Sequence, residues 1–279
     1  MKIMPFRKKL ARWALDFAYR SDPTLKIEII LPIDYRSLGL RDAGRTGWYR
    51  AESCELCEGF AIAPTDTVVD VGCGDGGNIQ FCARYAAHVI AIDIDQKRLQ
   101  TTEQRLKSGK PKYTTHLSDA NPLPLDSGVA DKVICTEVLE HVDDPAQVLN
   151  ELFRVGKQGA TYLLTVPDAR SEFVMKRVGP PNAFQKPNHI RVIQRDEFEK
   201  MVTDVGLVIK NHSYRGFYWA VWHAFAWRCG VSVMKGSHPV LNHWARTWSA
   251  VLDMPNGQDC KLALDEVLPK SQVIVAVKP

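Results

Sequence analysis

Val68-Val69-Asp70-Val71-Gly72-Cys73-Gly74-Asp75-Gly76-Gly77 decides the fold of this chain. A short apolar run of this kind suits a strand buried on both faces of a parallel sheet. The glycines that follow let the backbone turn sharply from strand into helix and let a ligand approach closely. Gly72, Gly74 and Gly77 also satisfy the spacing of the dinucleotide-binding fingerprint. The flanking charge opposes that use. A dinucleotide sets an anionic pyrophosphate at the helix N-terminus, where Asp75 would repel it. A ligand with positive charge and no phosphate suits this turn better.

Outward from the turn, strands and helices alternate. Thr67–Val71, His88–Ile92, Tyr113–Leu117, Lys132–Thr136 and Ala160–Val166 read as strands. Helices are expected at Gly77–Tyr85, Gln96–Lys107 and Pro145–Val155. This order implies an α/β, Rossmann-like doubly wound sheet with right-handed crossovers. A further helix at Arg195–Val205 and strands at Leu207–Ser213 and Gln272–Val277 complete the pattern. Upstream, a helix is expected from about Tyr49 to Phe60.

Acids close three successive strands. Asp70 ends the first, Asp93 the second, and Asp119 lies just past the third. Any one of them could be a solvated surface residue. Together they converge on the crevice at the carboxyl edge, where such sheets bind ligands. S-adenosyl-L-methionine carries an ammonium and a sulfonium and fits a crevice lined by carboxylates. Asp70 is placed for its amino-acid moiety. Asp93 can accept from both ribose hydroxyls. Ile94 can pack on the adenine, Asp119 can accept from its amino group, and Ala120 offers a backbone N–H to the ring.

Asp70-Val71-Gly72-Cys73-Gly74-Asp75-Gly76, Ala91-Ile92-Asp93-Ile94-Asp95 and Ser118-Asp119-Ala120-Asn121-Pro122-Leu123-Pro124-Leu125 resemble the successive cofactor motifs of class I methyltransferases. Ala130-Asp131-Lys132-Val133-Ile134-Cys135-Thr136-Glu137-Val138-Leu139-Glu140-His141-Val142 is similar to their fourth-strand motif, and Leu163-Leu164-Thr165-Val166-Pro167 to the fifth. The subgroup resembled contains the ubiquinone and menaquinone biosynthesis methyltransferases, and the likeness covers roughly residues 64–213. It implies a seven-stranded sheet whose last strand is antiparallel, between the fifth and sixth. It also implies cofactor contacts at Gly72, Cys73, Gly74 and Thr136.

Methyl transfer is an in-line displacement, and the protein mainly aligns the acceptor and excludes water. A hydroxyl acceptor gains from a general base. His141, just after the fourth strand, is the first candidate, and His189, in Asn188-His189-Ile190-Arg191, the second. Glu137, Glu140 and His141 form an E-x-x-E-H cluster, which helical spacing would gather on one face. It resembles clusters of ubiquinone O-methyltransferases and small-RNA 2′-O-methyltransferases that can bind a divalent metal. No metal is assigned here, because the same letters also occur in metal-free relatives.

Two regions lie outside the resemblance. Residues 1–60 read as an N-terminal helical segment, a lid or a membrane-surface helix, before a methyltransferase domain at 61–279. In the helix expected at 3–20, Phe6, Leu10, Trp13 and Phe17 share one face, with Arg7, Lys8, Lys9 and Arg12 mainly elsewhere. Residues 214–271 form an insertion between the last two strands, and 217–227 is densely aromatic. Its aromatics suit a membrane interface or a pocket for an apolar acceptor, or simply a packed core. A small or lipid-linked acceptor follows, with peripheral membrane contact through 3–20 and 217–227.

Composition excludes several classes. Residues 1–50 hold 11 Lys/Arg against 5 Asp/Glu, whereas the other 229 hold 25 against 27. The Lys/Arg-rich patch with interleaved aromatics that marks a nucleic-acid face is missing beyond the N-terminal helix. No apolar run reaches about 18 residues, and no signal-peptide pattern is present. A cytoplasmic protein, peripheral to the inner face of a membrane, is expected. Seven cysteines form no disulfide pattern, and the Cys54/Cys57 pair supplies only two of the four ligands of a structural zinc. The alternatives are a nucleic-acid methyltransferase, a nicotinamide-dependent dehydrogenase and a non-catalytic cofactor-binding protein.

Overall fold

The computed structural model describes residues 34–107, 112–233 and 237–279, and Asp34–Pro279 form one compact unit. The helix expected at 3–20 lies outside the described residues. The first described element is helix α1 (Tyr35–Gly44), capped by the Asp34 carboxylate, which accepts from the Arg36 and Ser37 N–H groups. A small hairpin follows, β1 (Glu55–Cys57) with β2 (Phe60–Ala61). The helix expected over Tyr49–Phe60 is therefore absent. Tyr49 and Cys54 take φ of 56° and 55°, and Gly59 takes 81°. These left-handed residues turn the chain where a helix would have needed right-handed backbone.

The strand–helix alternation follows as expected. The sheet contains β3 (Thr67–Val71), β4 (His88–Asp93), β5 (Tyr113–Leu117), β6 (Ala130–Thr136) and β7 (Gly156–Pro167). It is completed by β8 (Val208–Arg215) and β9 (Ser271–Val277). Their order is β5-β4-β3-β6-β7-β9-β8, with β9 antiparallel to both neighbours. This is the seven-stranded α/β arrangement expected from the sequence.

Alternate strand residues feed two apolar layers. Val69, Val71, Ile90, Ile92 and Val133 pack with α4 (Pro145–Val155) and α6 (Arg195–Asp204) through Leu149, Leu152, Phe198 and Val202. Val68, Val89, Ala91 and Ile134 point to the other face, against Ile79 of α2 (Gly77–Cys82) and Leu99 and Leu106 of α3 (Gln96–Lys107). Trp48, Leu56 and Phe60 enter this second layer. Residues 48–60 thus share the core with the sheet.

After β7, helix α5 (Ala169–Val178) begins at an Asp168 cap. A 3₁₀ turn at Pro181–Phe184 then leads toward His189. The insertion between β8 and β9 is helical: α7 (Phe217–Arg228), α8 (Pro239–Asp253) and α9 (Gly257–Val267). Its aromatics mostly face inward. Tyr218, Trp222 and Trp248 are fully buried, whereas Phe225 is 38% exposed. The stretch 217–227 thus contributes to the core of the insertion, one of the readings its composition allowed. Within the insertion, the indole N–H groups of Trp222, Trp244 and Trp248 donate to Val233 O, Tyr218 O and the Asp42 carboxylate, as buried tryptophans require.

Candidate active site

The glycine turn is built by close approach. Gly72 has φ of 72°, and a Cβ added there would lie 2.2 Å from Val138 Cγ2. Only glycine fits, and the loop after β6 packs directly on the turn. The Gly72 and Cys73 N–H groups both donate to Ile92 O, at 2.8 and 3.0 Å, tying the turn to β4. Gly74, with φ of 55°, faces open space: a Cβ there would find only Arg98 Nη1, at 3.8 Å. That open backbone is where a ligand can lie against the turn.

Asp70 is 1% exposed, and neither carboxylate oxygen has a hydrogen-bond partner. Burial, and then the neighbouring Asp93, push its pKa up to about 7. An orphaned buried carboxylate of this kind fits a cationic ligand group. Asp93 holds the turn itself. Its Oδ2 accepts from Gly74 N at 2.7 Å and its Oδ1 from Asp95 N at 2.8 Å. Each oxygen keeps acceptor capacity for a ribose hydroxyl. Ile94 beside it is 72% exposed, an apolar surface next to the crevice.

The adenine end differs in one respect. Asp119 is exposed, with Oδ1 accepting from Asn121 N. The Ala120 N–H expected to face the ring donates instead to Ser118 Oγ at 3.1 Å. Ala120 has φ of 65°, and this short turn leaves Ser118 as the nearest acceptor. Thr136 closes β6 and accepts from Asn78 Nδ2, whose own Oδ1 accepts from the Tyr49 hydroxyl. Tyr49 and Asn78 are site supports that sequence reasoning missed, since they meet Thr136 only through tertiary packing.

Residues of the notable E-x-x-E-H cluster part company. The segment after β6 is a turn and not a helix, and Glu137 has φ of 58°. Its carboxylate points to Thr165 Oγ1 and Lys270 Nζ. Against a burial penalty, Lys270 holds its pKa down at about 2. Glu140 stays behind, 1% exposed, with both oxygens unpartnered and its pKa pushed well up by burial and by Glu137. Beside it are His141, with Nε2 at 3.6 Å from Glu140 Oε1, and His189. The two imidazoles meet edge to face at 5.0 Å.

Each histidine is oriented through Nδ1, by Pro187 O at 3.1 Å for His141 and by Glu172 Oε2 at 2.9 Å for His189. That leaves Nε2 of each ring for an incoming group. Burial, chiefly, lowers the His141 pKa. Ligand atoms of Glu140, His141 and His189 all lie within 4.8 Å of one another, a set that could hold a cation. A cavity of about 300 Å³ opens here, walled by His189, Glu172, His223, Trp227 and Lys270. Burial lowers the His223 pKa to about 3, so that ring is neutral. Glu172 and His223 carried no sequence signal, because their distance from His189 along the chain hides the contact.

Residues 69–164 match the profile of a family described as a methyltransferase domain. This stretch is similar to a methyltransferase domain. A Mycobacterium tuberculosis protein named "Probable S-adenosylmethionine-dependent methyltransferase" is 31% identical over 150 residues, 53% of this chain and 52% of its own. A ubiquinone biosynthesis O-methyltransferase of Hahella chejuensis is 34% identical over 121 residues, 43% of this chain and 51% of its own. The chain thus spans about half the length of the curated relatives it matches. Among solved structures, geranyl diphosphate C-methyltransferase of Streptomyces coelicolor, bound to Mg²⁺ and S-adenosyl-L-homocysteine, superposes with a TM-score of 0.52. It is 16% identical, over 88% of this chain and 77% of that one, which speaks for the fold alone. The cofactor of the methyltransferase domain is S-adenosyl-L-methionine, and the orphaned Asp70 and the Asp93-braced turn fit its charges.

Proposed function

We propose that the protein is an S-adenosylmethionine-dependent O-methyltransferase acting on a hydroxyl of a small or lipid-linked acceptor. One observation carries this reading. Glu140 presents two unpartnered, buried oxygens beside two histidines whose Nδ1 atoms are already fixed. The cluster follows β6 in the loop that packs against Gly72.

In this reading Asp70, Asp93 and the glycine turn hold the methyl donor, with the crevice at the carboxyl edge excluding water. The acceptor enters the cavity at His189 and Trp227. His141 or His189 removes the hydroxyl proton through Nε2, and the oxygen attacks the methyl carbon in line. Glu172 fixes the tautomer of His189 and Pro187 O that of His141. Glu140, His141 and His189 would alternatively fit a divalent cation, which would polarise the acceptor oxygen while the imidazoles served as its ligands in place of bases. The relatives named ubiquinone biosynthesis O-methyltransferase support the choice of oxygen as the methylated atom.

The test has two arms. Calorimetry with S-adenosylhomocysteine and with NAD asks about the donor site. Binding of NAD alone would overturn the reading at its root. Incubation with radiolabelled S-adenosylmethionine and fractionated cell extract then asks where the label goes. Label in lipid or small metabolites, lost in His141→Ala together with His189→Ala, is the expected result. Label in RNA or protein would replace it with a macromolecular acceptor, and no transfer at all with a non-catalytic binding role.

A further inference from the structure

A second cavity, of about 690 Å³, lies apart from the methyl-transfer centre. It shares no wall with the cavity at His189 and includes neither Asp70 nor Asp93. Val273 and Val275 of β9 and Leu262 of α9 give it an aliphatic side. Arg215, at the carboxyl end of β8, brings a cation to it.

The Arg215 guanidinium lies 3.5 Å over the ring of Trp48, which is itself 3% exposed. An arginine seated over a buried indole has less freedom to reorient its planar fork of donors. That fork has no hydrogen bond or ion pair to any described residue. The acid whose charge it feels is Glu137, already bound by Lys270. Arg215 is thus a half-buried cation in excess, and leaving such a charge uncompensated is costly. Gln258, whose Nε2 donates to Arg45 O, adds no charge to the wall. Of the other charges at the cavity, Arg50 is paired with Glu55, and Arg45, Glu58 and Glu266 sit on the exposed rim.

We propose that this cavity is a second ligand site, for a small anionic amphiphile. Its carboxylate or phosphate would sit on the Arg215 fork, with its aliphatic portion against Val273, Val275 and Leu262. The volume is within the ordinary range for small-ligand sites, roughly 300–1,000 Å³. Bidentate contact with a planar guanidinium is how such anions are selected.

Calorimetry on the full chain tests this, using octyl phosphate and octanoate below their micelle concentrations and octyltrimethylammonium as the same-tail cation. Saturable binding of one or both anions, and tighter binding than of the cation, is expected, and the tighter anion identifies the headgroup. Arg215→Gln should weaken that binding at least tenfold while S-adenosylhomocysteine affinity stays within twofold. Should Arg215→Gln fail to fold, Leu262→Asp carries the test, because Leu262 is 45% exposed and a new carboxylate there should repel the anion equally. Anions binding no tighter than the cation, or a folded variant binding octyl phosphate as the wild type does, overturns the proposal.

Discussion

Asp70 and Gly72 stand two positions apart and act in opposite ways. Asp70 is kept protonatable near neutrality by burial. Its pKa of about 7 exceeds that of an unfolded aspartate, so the empty domain loses stability as pH rises from about 4 through 7. A cationic cofactor reverses the balance by favouring the ionised form. S-adenosylhomocysteine affinity should therefore climb as pH rises toward 7, by up to about tenfold per unit, and level off above. Asp70→Asn should flatten that profile in calorimetry between pH 5.5 and 8.5. Gly72 has no such latitude. Gly72→Ala combines a left-handed φ with a 2.2 Å clash against Val138 and should cost about 1–3 kcal/mol for the backbone alone, read as a lowered unfolding midpoint in urea. Both residues were legible in the sequence, because strand-end acids and a glycine turn are local features. Glu172 and Arg215 were not, since each takes its meaning from a partner on another element, His189 and Trp48 respectively.

At the level of elements, local signals succeeded where burial is two-sided. Strands β3, β4 and β6 are built on the apolar runs Val68-Val69, Val89-Ile90-Ala91-Ile92 and Val133-Ile134-Cys135, and α4 opens on Asp144-Pro145 with the Asp144 carboxylate accepting from Gln147 N. The loop after β6 misled, because E-x-x-E-H reads as helical until the positive φ of Glu137 swings its carboxylate to Lys270. Helix α1 went unseen, as Tyr35-Arg36-Ser37-Leu38-Gly39-Leu40 carries little apolar periodicity. It is held instead by tertiary contacts: Tyr35 stacks on Trp222 at 4.8 Å, and buried Asp42 accepts from the Trp248 indole. Lys261, wholly buried, bridges Asp42 at 3.0 Å and Asp265 at 2.7 Å, joining α1 to the insertion. Lys261→Met strips two buried carboxylates of their cation. It should destabilise the protein by about 3–5 kcal/mol in urea denaturation, with the largest losses around α1 and α9 in hydrogen exchange.

Across the whole molecule, charge is distributed by region. Residues 34–279 hold 29 Lys/Arg and 29 Asp/Glu, whereas residues 1–33 hold 7 and 3. None of the helices among the described residues is long and apolar enough to cross a membrane. The excess positive charge on which an anionic bilayer could act thus lies in the first 33 residues. Flotation with vesicles containing anionic lipid should carry the intact chain and lose one lacking residues 1–20, more completely at higher salt. Equal flotation of both would assign the attachment to the domain itself. The insertion has a further consequence. Its two ends meet: Arg215 and Ser271 are register partners, and Lys270 N donates to Arg215 O at 2.8 Å. Some 55 residues therefore leave and rejoin the sheet through one doorway, as a cassette plugged into a fixed socket. Changes in the length or sequence of that cassette need not disturb the strand pairing at its two ends.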